Sequence, residues 1–389
     1  MQLDFHYYAT YCAAYLAGFK PADAKVIATA SQFTDECTKT LLGAIGAPVA
    51  AATTQTNFEL ADTRTDPVGL QNITRIWSSF HFLPADLNAD PGFGTKRYKN
   101  KYRLLCGPNG ELVGDTLKLA HNKGLEAIGL SMHILADTWA HRYFAGTPSL
   151  VINNTNDHFF EYIVGENGED TERRVTFRHS ATASDDLEKD LYTSSMYQAG
   201  ENSVMNLGHG RAGHFPDYSF AKYRYLPAWN CYNEIVKNNP EDYYKAFCQM
   251  IYAMKCLRRD EFDFAKDTYD FEAAEPYRRE IEKILNKRQL IASEDWKKFG
   301  EKLSGEVICD YNRSLIIDEY KNAAPKEEQD TFIGRFTLAA MAQKSMVTAK
   351  IFNTGNLLAG FSVDFSRKGF SGIKDYMKLV EETGRSIKK

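Results

Sequence analysis

Three side chains that commonly bind metal ions lie four residues apart near the middle of the chain: His133, Asp137 and His141. Neither proline nor glycine interrupts residues 130–145, and the apolar residues between the three predict a buried helix. At 3.6 residues per turn, positions i, i+4 and i+8 lie along one stripe of a helix. The stripe therefore points two imidazoles and a carboxylate in one direction from an apolar segment.

Burial of three such groups costs free energy unless each group is satisfied. A metal ion satisfies them directly, because imidazole and carboxylate are ordinary ligands of Zn²⁺ and related cations. The alternative is a hydrogen-bonded polar cluster that keeps packed helices in register. Three ligand-type side chains in register favour the metal.

Further candidate donors lie elsewhere in the chain. His81 lies between two phenylalanines just before Pro84, and His209 lies between two glycines, which allow a close approach of backbone and ligand. His6 could instead be a surface residue, Asp35 could cap a helix or form a salt bridge, and His81 could be a hydrogen-bonded core histidine. The full set of predicted metal ligands is His6, Asp35, His81, His133, Asp137, His141 and His209.

Three residues are the predicted catalytic groups around this site. Asp35, or Asp217 if it does not bind metal, could orient a water molecule as a general base. Arg211 follows the glycine-flanked histidine and could bind a phosphate group bidentately, although a plain surface arginine is the alternative. Other catalytic signatures are absent from the sequence, which has no H-E-x-x-H, no G-x-S-x-G, no G-x-x-x-x-G-K-[ST] and no His-Asp dipeptide.

The composition is that of an ordinary globular protein of 389 residues, 43% of them hydrophobic and 25% charged. The net charge of −4 gives no global basic field for a nucleic acid, although bound divalent cations could supply local positive charge. Seven scattered cysteines without a C-x-x-C pair favour a reduced, cytoplasmic compartment. We find neither a signal peptide nor an apolar run of the ~18 residues that a transmembrane segment needs.

Helical periodicity in most segments predicts a mostly α fold, a multi-helix bundle around a buried metal site with irregular glycine-rich loops. The sequence predicts two domains: residues 1–225 form a helical metal-binding and catalytic domain, and residues 226–389 form a C-terminal helical region packed on it. Predicted helices include residues 7–18, 22–42, 70–80, 116–123, 241–258, 275–288, 293–320 and 326–351.

Several segments resemble a bacterial family of unknown function, over roughly the first 230 residues. The most specific is the central motif, Met132-His-Ile-Leu-Ala-Asp-Thr-Trp-Ala-His141. The others are Met1-Gln-Leu-Asp-Phe-His6, Phe80-His-Phe-Leu-Pro84, Gly208-His-Gly210 and Pro216-Asp217.

The order of ligand types also resembles bacterial zinc-dependent phospholipase C and the zinc nucleases that cleave single strands. This resemblance implies an all-helical fold, three zinc ions and hydrolysis of phosphate esters. The implied ligands are Asp35, His81, His133 and Asp137 for one metal, His141 and His209 with Asp217 for a second, and His6 with a bridging Asp137 for a third.

The sequence departs from those enzymes at three points. They are secreted and use their mature N-terminal amino group as a ligand, whereas no signal peptide is found here. Their last carboxylate follows its histidine by one helical turn, whereas Asp217 follows His209 by eight residues. The second histidine of their central motif lies farther from the aspartate than His141 lies from Asp137.

The predicted function is metal-dependent hydrolysis, with phosphodiesters as the expected substrates and a metal-activated water as the nucleophile. We expect two or three zinc ions, with other divalent metals as an alternative. The substrate is expected to be a phosphate ester: a lipid, a nucleotide or a single-stranded nucleic acid. The alternatives are a structural or interaction protein whose metal has a closed ligand set, and an amide or ester metallohydrolase.

Overall fold

The structure, a computed structural model, describes residues 1–48, 54–55, 67–164, 170–179, 184–194 and 208–359. It is about 55% helical and contains a four-stranded antiparallel sheet and a two-stranded sheet, so the fold is mixed α/β. The prediction of a mostly α bundle, and the all-helical fold implied by the zinc enzymes, are therefore wrong.

The helices of the first half begin with a π-helical segment, Asp4–Ala9, which continues into α1 (Thr10–Leu16), followed by α2 (Pro21–Phe33), α3 (Lys39–Ala44), α4 (Pro67–Phe80), α5 (Lys96–Tyr102), α6 (Glu111–Ala120), α7 (Leu125–Ala140) and α8 (Leu150–Asn153). Those of the second half are α9 (Asn239–Leu257), α10 (Phe271–Ala274), α11 (Arg278–Asn286), α12 (Ser293–Ser304), α13 (Arg313–Asn322) and α14 (Phe332–Asn353). None of the helices within the described ranges is long and apolar enough to cross a lipid bilayer.

Two predicted helices are shorter than their patterns indicated. The helix expected over 22–42 ends at Phe33, because the chain turns there and the Thr34 carbonyl accepts a hydrogen bond from the Thr54 hydroxyl at 2.7 Å. The segment 293–320 forms two helices, since α12 ends at Gly305, which has φ +73. Glycine reaches this left-handed conformation without steric cost and commonly ends helices.

The sheets account for the error in fold class. The strands are β1 (Phe159–Val164), β2 (Asp170–Arg174), β3 (Phe177–His179), β4 (Tyr192–Ser194), β5 (Lys222–Tyr225) and β6 (Ile235–Asn238). The larger sheet has the order β2-β1-β5-β6, and β3 pairs with β4 in parallel. All six strands are three to six residues long, too short for a sustained alternation of apolar and polar residues. Their pairing is also non-local, since β1 lies beside β5 from much later in the chain.

Helix α7 lies at the centre of the molecule and is buried from Glu126 to Ala140. It crosses α2 at Gly129, where a Cβ atom would lie 2.2 Å from the carbonyl oxygen of Ile27. Glycine therefore permits this close approach of the two backbones. Helices α9 and α14 pack against other sides of α7. The predicted buried central helix is confirmed, although it begins at Leu125 and ends at Ala140.

The predicted domain boundary at residue 225 lies between two paired strands, because Tyr225 of β5 lies opposite Ile235 of β6. Helix α9 from the second predicted region packs directly on α7 from the first. One cluster of buried hydrophobic side chains draws on both regions. Residues 360–389 of the second predicted region lie outside the described residues.

Candidate metal centre

Five imidazoles and three carboxylates converge beside α7. They form three groups, two of which share His133, and within each group the candidate ligand atoms lie within 4.8 Å of one another. Every predicted metal ligand belongs to one of these groups, and the predicted general base Asp217 belongs to one as well. The groups are His6, His133 and Asp137; Asp35, His81 and His133; and His141, His209 and Asp217.

Helix α7 supplies the middle of the site. His133 and Asp137 lie one turn apart and are both at most 1% exposed. His141 is the C-cap residue, with φ −87 and ψ 10, so it leaves the helix axis and faces the third group. The predicted stripe is therefore present, and the C-cap geometry turns His141 towards Asp217 while its Nδ1 atom stays 3.6 Å from Asp137 Oδ2.

The N-terminal segment places His6 over His133, with ring centroids 3.8 Å apart and planes 20° apart. His6 lies in a π-helical segment, a rare conformation that is frequent at functional sites. Asp4 fixes this segment, because its carboxylate accepts hydrogen bonds from the backbone N–H groups of Phe5 at 2.8 Å and Ala292 at 2.9 Å. Asp4 therefore positions the segment through backbone contacts.

Two turns contribute Asp35 and His81. Asp35 lies just beyond the end of α2, and His81 follows the end of α4. Nε2 of His81 lies 3.0 Å from the carbonyl oxygen of Thr54. Nδ1 of His81 faces the opposite way, 3.3 Å from Asp137 Oδ2 and 3.7 Å from Asp35 Oδ1.

His209 and Asp217 lie in the glycine-rich loop, which forms two short 3₁₀ turns. A Cβ atom at Gly208 would lie 2.6 Å from the carbonyl oxygen of Ala145, so glycine brings the loop close to the end of α7. Asn239 anchors the other side of the loop, since its side-chain amide donates to the carbonyls of Phe215 and Tyr218, both at 2.8 Å.

Asp137 links the donors of the first two groups. Its Oδ2 atom lies 3.2 Å from His133 Nε2, and its Oδ1 atom lies 3.3 Å from His6 Nε2. Asp35 lies slightly farther from the imidazoles, with its oxygens 3.8 Å from His6 Nε2 and from His133 Nε2. These separations exceed hydrogen-bond length and leave Asp35 at the edge of the cluster.

Asp217 links the donors of the third group. Its Oδ1 atom lies 3.0 Å from His141 Nε2, and its Oδ2 atom lies 3.4 Å from His209 Nε2. The Nδ1 atom of His214 lies 3.7 Å from the same carboxylate, but this side chain is 42% exposed to solvent.

The α-amino nitrogen of Met1 lies between the groups. It is 2.8 Å from Asp137 Oδ1, 3.1 Å from Asp217 Oδ1 and 3.4 Å from His141 Nε2. In a chain that begins at this residue, the amine is a further nitrogen donor beside two carboxylates. The N-terminal amine was a predicted difference from the zinc enzymes, whereas it lies within the cluster.

Backbone carbonyls fix the protonation of three imidazoles. Nε2 of His81 faces the Thr54 carbonyl, Nδ1 of His141 faces the His81 carbonyl at 2.6 Å, and Nδ1 of His209 faces the Gly213 carbonyl at 2.8 Å. A carbonyl oxygen can only accept, so each facing nitrogen carries the proton in the neutral ring. The other nitrogen then presents its lone pair to the carboxylates, as in metal-binding histidines oriented by carbonyls.

The cluster contains nitrogen atoms that lack hydrogen-bond partners. Both ring nitrogens of His6, Nδ1 of His133 and Nε2 of His209 are buried without one. Buried polar groups of native proteins are normally paired. Lone pairs that converge on carboxylates, together with these orphan nitrogens, fit a set of donors for divalent cations.

Electrostatics keeps four of the donors in the forms that bind metals, whereas Asp137 and Asp35 raise the pKa of His81 despite its burial. Burial lowers the pKa of His6 to about 4 and that of His209 to about 3, so both rings are neutral at neutral pH. Burial acts to raise the pKa of Asp217, but the Met1 amine and His209 hold it well below its ordinary value. Burial acts likewise on Asp137, and His141 with the Met1 amine lowers its pKa.

Asp35 is the donor that solvent reaches. Its side chain is 26% exposed, whereas the carboxylates of Asp137 and Asp217 are 1% and 8% exposed. Beside it, the Glu36 carboxylate lies 3.3 Å from the Arg313 guanidinium, which is half exposed. Burial and the charges of Glu36 and Asp35 raise the pKa of Tyr311. We call Glu36, Tyr311 and Arg313 the rim of the site.

Arg211, predicted to bind phosphate, lies on the far side of the glycine-rich loop. Its Nη1 atom is 3.4 Å from Asp157 Oδ1. Its side chain lines a cavity of about 170 Å³ together with Phe159 and Phe177. A phosphate-binding role for Arg211 stays a prediction.

Sequence reasoning missed the Met1 amine, the orienting carbonyls and the rim. A backbone carbonyl is present at every residue, so no local pattern marks the three that orient imidazoles. Tyr311 and Arg313 lie far from the ligand motifs in the chain, and only their packing beside Glu36 places them at the site.

The fold and the cluster define a mixed α/β protein with buried His–Asp groups that could hold metal ions. The chain belongs to DUF6765, a family of unknown function, whose family model matches residues 1–351. The match confirms the predicted membership of such a family and extends beyond the 230 residues inferred from the motifs. No curated protein and no solved structure matches the chain. The resemblance to zinc phospholipase C and zinc nucleases stays a prediction.

Proposed function

We propose that this protein is a metal-dependent hydrolase of phosphodiester bonds that uses two or three zinc-type ions. The observation that carries the proposal is the orientation of His81, His141 and His209. Each ring has one nitrogen on a backbone carbonyl and the other aimed at buried carboxylates. A polar cluster that only holds helices in register has no need to point lone pairs at negative charge.

His6, His133 and Asp137 would hold one ion, and His141, His209 and Asp217 would hold another, with the Met1 amine beside both. Asp35 and His81, which share His133, would complete the set. Zinc-type ions, when bound, lower the pKa of water towards ~7 and stabilise charge on phosphate oxygens.

Asp35 is the proposed general base. It is the most exposed carboxylate of the cluster, and its oxygens lie 3.7–3.8 Å from three imidazole nitrogens. It can therefore accept a proton from a water molecule that approaches from solvent. Asp217 is enclosed by His141, His209 and the Met1 amine, which favours a ligand role for it.

The rim would position the phosphate ester. Arg313 can donate bidentate hydrogen bonds to phosphate oxygens once it exchanges Glu36 for the substrate. Glu36, next to Asp35, would repel an anion that entered without this exchange. A phosphodiester carries one negative charge and exposes two terminal oxygens, which suits a guanidinium beside the ions.

The proposal includes a reducing compartment such as the cytoplasm. All seven cysteines lie within the described ranges as thiols, five of them buried. Burial raises the pKa of Cys12 and Cys37, which makes their thiols poorly reactive.

The test is to measure bound metal by elemental mass spectrometry and hydrolysis of bis(p-nitrophenyl) phosphate on the full chain, before and after chelation. The variant combines His133→Ala with Asp137→Ala. The matched control is His121→Ala, which removes an imidazole bonded to the Arg259 carbonyl, away from the cluster. We expect bound zinc-type ions and turnover in the wild type and the control, and loss of both in the double variant.

Two results would contradict the proposal. Absence of metal after reconstitution with zinc would leave a hydrogen-bonded polar cluster. One tightly bound ion without turnover, whose removal unfolds the protein, would identify a structural site with a closed ligand set. Circular dichroism of each variant separates the loss of the fold from the loss of the metal.

A further inference from the structure

A row of aromatic side chains lies at the surface beside α5, away from the His–Asp cluster. Successive ring centroids are 5.4, 6.4, 6.2 and 5.7 Å apart. All the rings are half-buried or exposed. The row comprises, in spatial order, Phe93, Tyr98, Tyr102, Trp229 and Tyr143. Three separate segments supply them, so the row exists only in the folded chain.

Basic side chains accompany the rings. Residues 93–103 contain five Lys or Arg residues and no acidic residue. Lys96 and Arg97 are exposed, and within the described part of the chain neither has an acidic partner. The Arg142 guanidinium lies 4.6 Å from the centre of the Tyr143 ring. We call the five rings together with Lys96, Arg97 and Arg142 the basic aromatic face.

The position of the two free cations is unfavourable for the helix that carries them. Lys96 and Arg97 are the first two residues of α5, after the N-cap Thr95. Positive charge at a helix N-terminus is destabilised by the helix dipole. The stability of α5 therefore does not explain these two side chains, whereas an anionic partner would.

The backbone also holds one of the half-buried rings in place at a cost. Tyr143 has φ +80, a conformation that favours glycine, and its N–H donates to the Cys106 carbonyl at 3.0 Å. Phe93, at the other end of the row, is 44% exposed. Large apolar side chains that are exposed in a group commonly mark an interaction surface.

We propose that the basic aromatic face binds the surface of a membrane that contains anionic lipids. Phe93 and the exposed parts of the neighbouring rings enter the headgroup layer, where aromatic side chains are favoured. Lys96 and Arg97 lie against the acidic headgroups. The proposed attachment is by these surface side chains, and no helix of the described residues is long and apolar enough to cross a bilayer.

Ring geometry favours a membrane over a single-stranded nucleic acid. Nucleic-acid bases stack on exposed ring faces. Here Tyr98 stacks on Tyr102 with an interplanar angle of 28°, and Tyr143 stacks on Trp229 at 25°. These rings cover part of one another's faces and so offer few open faces on which bases could stack.

The test is cosedimentation of the full chain with vesicles of phosphatidylcholine alone and with vesicles in which about one third is phosphatidylserine. The variant combines Lys96→Gln with Arg97→Gln. The matched control combines Lys118→Gln with Lys123→Gln, which removes two exposed cations elsewhere and gives the same net charge. Each cation near an anionic membrane contributes roughly a five-fold factor in binding, so we expect about a 25-fold loss in the variant and little change in the control.

A second pair of variants tests the rings. Phe93→Ser should weaken binding even at high salt, because it removes apolar burial that salt does not screen. Leu338→Ser, at a residue that is 58% exposed on α14, is its control. Wild-type protein that does not bind anionic vesicles, or equal losses in variant and control, overturns the proposal. Binding of a labelled single-stranded oligonucleotide without vesicle binding overturns it in favour of nucleic acid.

Discussion

The backbone carbonyl of His81 accepts a hydrogen bond from Nδ1 of His141 at 2.6 Å. The imidazole of His81 belongs to one donor group and that of His141 to another. The same residue thus contributes a ligand atom to its own group and orients the His141 ring of the third group. Movement of the turn after α4 would disturb both groups together.

We expect the group of His141, His209 and Asp217 to bind its own ion, which can be lost without the ion at His133 and Asp137. Asp217→Asn keeps the size of the side chain but removes the charge that links His141 and His209. We expect metal content to fall by one ion per chain, while the ion held by His133 and Asp137 remains, as measured by elemental mass spectrometry. Asp157→Asn, an 81% exposed aspartate at the surface, serves as the control. Complete loss of metal in Asp217→Asn, or unchanged metal content, would show that the two groups do not bind independently.

The metal-free protein should lose stability as the pH falls from about 6.5 to 4. The pKa of His6 falls on folding from 6.5 to about 4, and that of His209 to about 3, mainly through burial. In this range the unfolded chain binds more protons than the folded chain, so the free energy of unfolding decreases with falling pH, by up to roughly 1.4 kcal/mol per pH unit for each proton. The raised pKa of His81 has the opposite effect, but it acts at pH values above 6.5, where this residue binds more protons in the folded chain. Denaturant titrations of chelated protein across this range provide the measurement.

The same titrations should show a second loss of stability above pH 8. The pKa of the Met1 amine rises on folding from 8.0 to about 11, because the attraction of Asp137 and Asp217 outweighs the desolvation that comes with burial. The folded chain then binds more protons between these values, and its advantage disappears as the pH rises through them. A chain extended by Gly-Ser before Met1 lacks this amine and should show a smaller alkaline loss, to which buried cysteines with raised pKa such as Cys12 and Cys37 still contribute. Identical profiles for the two chains would show that the Met1 amine does not contribute to the alkaline loss of stability.

Arg313 should affect substrate binding more than metal binding. Arg313→Gln is expected to raise KM for a phosphodiester roughly 10-fold or more, since one charge-assisted hydrogen bond contributes about 1.5–3 kcal/mol. Metal content should stay unchanged, and Arg313→Lys should recover only part of the loss. Arg278→Gln, at another half-exposed arginine, is the control. An unchanged KM in the presence of bound metal would exclude the rim from substrate recognition.

Gly129→Ala should destabilise the fold where α2 crosses α7. The added methyl group would lie 2.2 Å from the Ile27 carbonyl oxygen and 2.6 Å from Ala30 Cβ. Overpacking of this kind costs about 1–3 kcal/mol, to be measured by urea unfolding. Gly114→Ala on α6 is the comparison, because its methyl group would meet nothing within 4 Å. We expect it to be neutral or to stabilise by about 0.5–1 kcal/mol. Equal effects of the two substitutions would contradict close packing at Gly129.

The central helix and its stripe of polar side chains could be predicted from the sequence. The spacing of His133, Asp137 and His141 and the apolar residues between them depend on helical periodicity, which is a local property. Local glycine and phenylalanine contexts also identified His209 and His81 as candidates. These side chains do lie in one cluster, because burial of a polar stripe requires other polar groups opposite it.

The division of the donors into three groups and the orientation of their rings depend on tertiary contacts and could not be predicted from the sequence. The C-cap position of His141, the carbonyls of Thr54, His81 and Gly213, and the Met1 amine depend on contacts between segments far apart in the chain. The fold class was decided in the same way. Strands of three to six residues carry too little periodicity to be recognised locally, and β1 becomes part of a sheet only because β5 pairs with it. The basic aromatic face has the same origin, since its rings come from segments that meet only after folding.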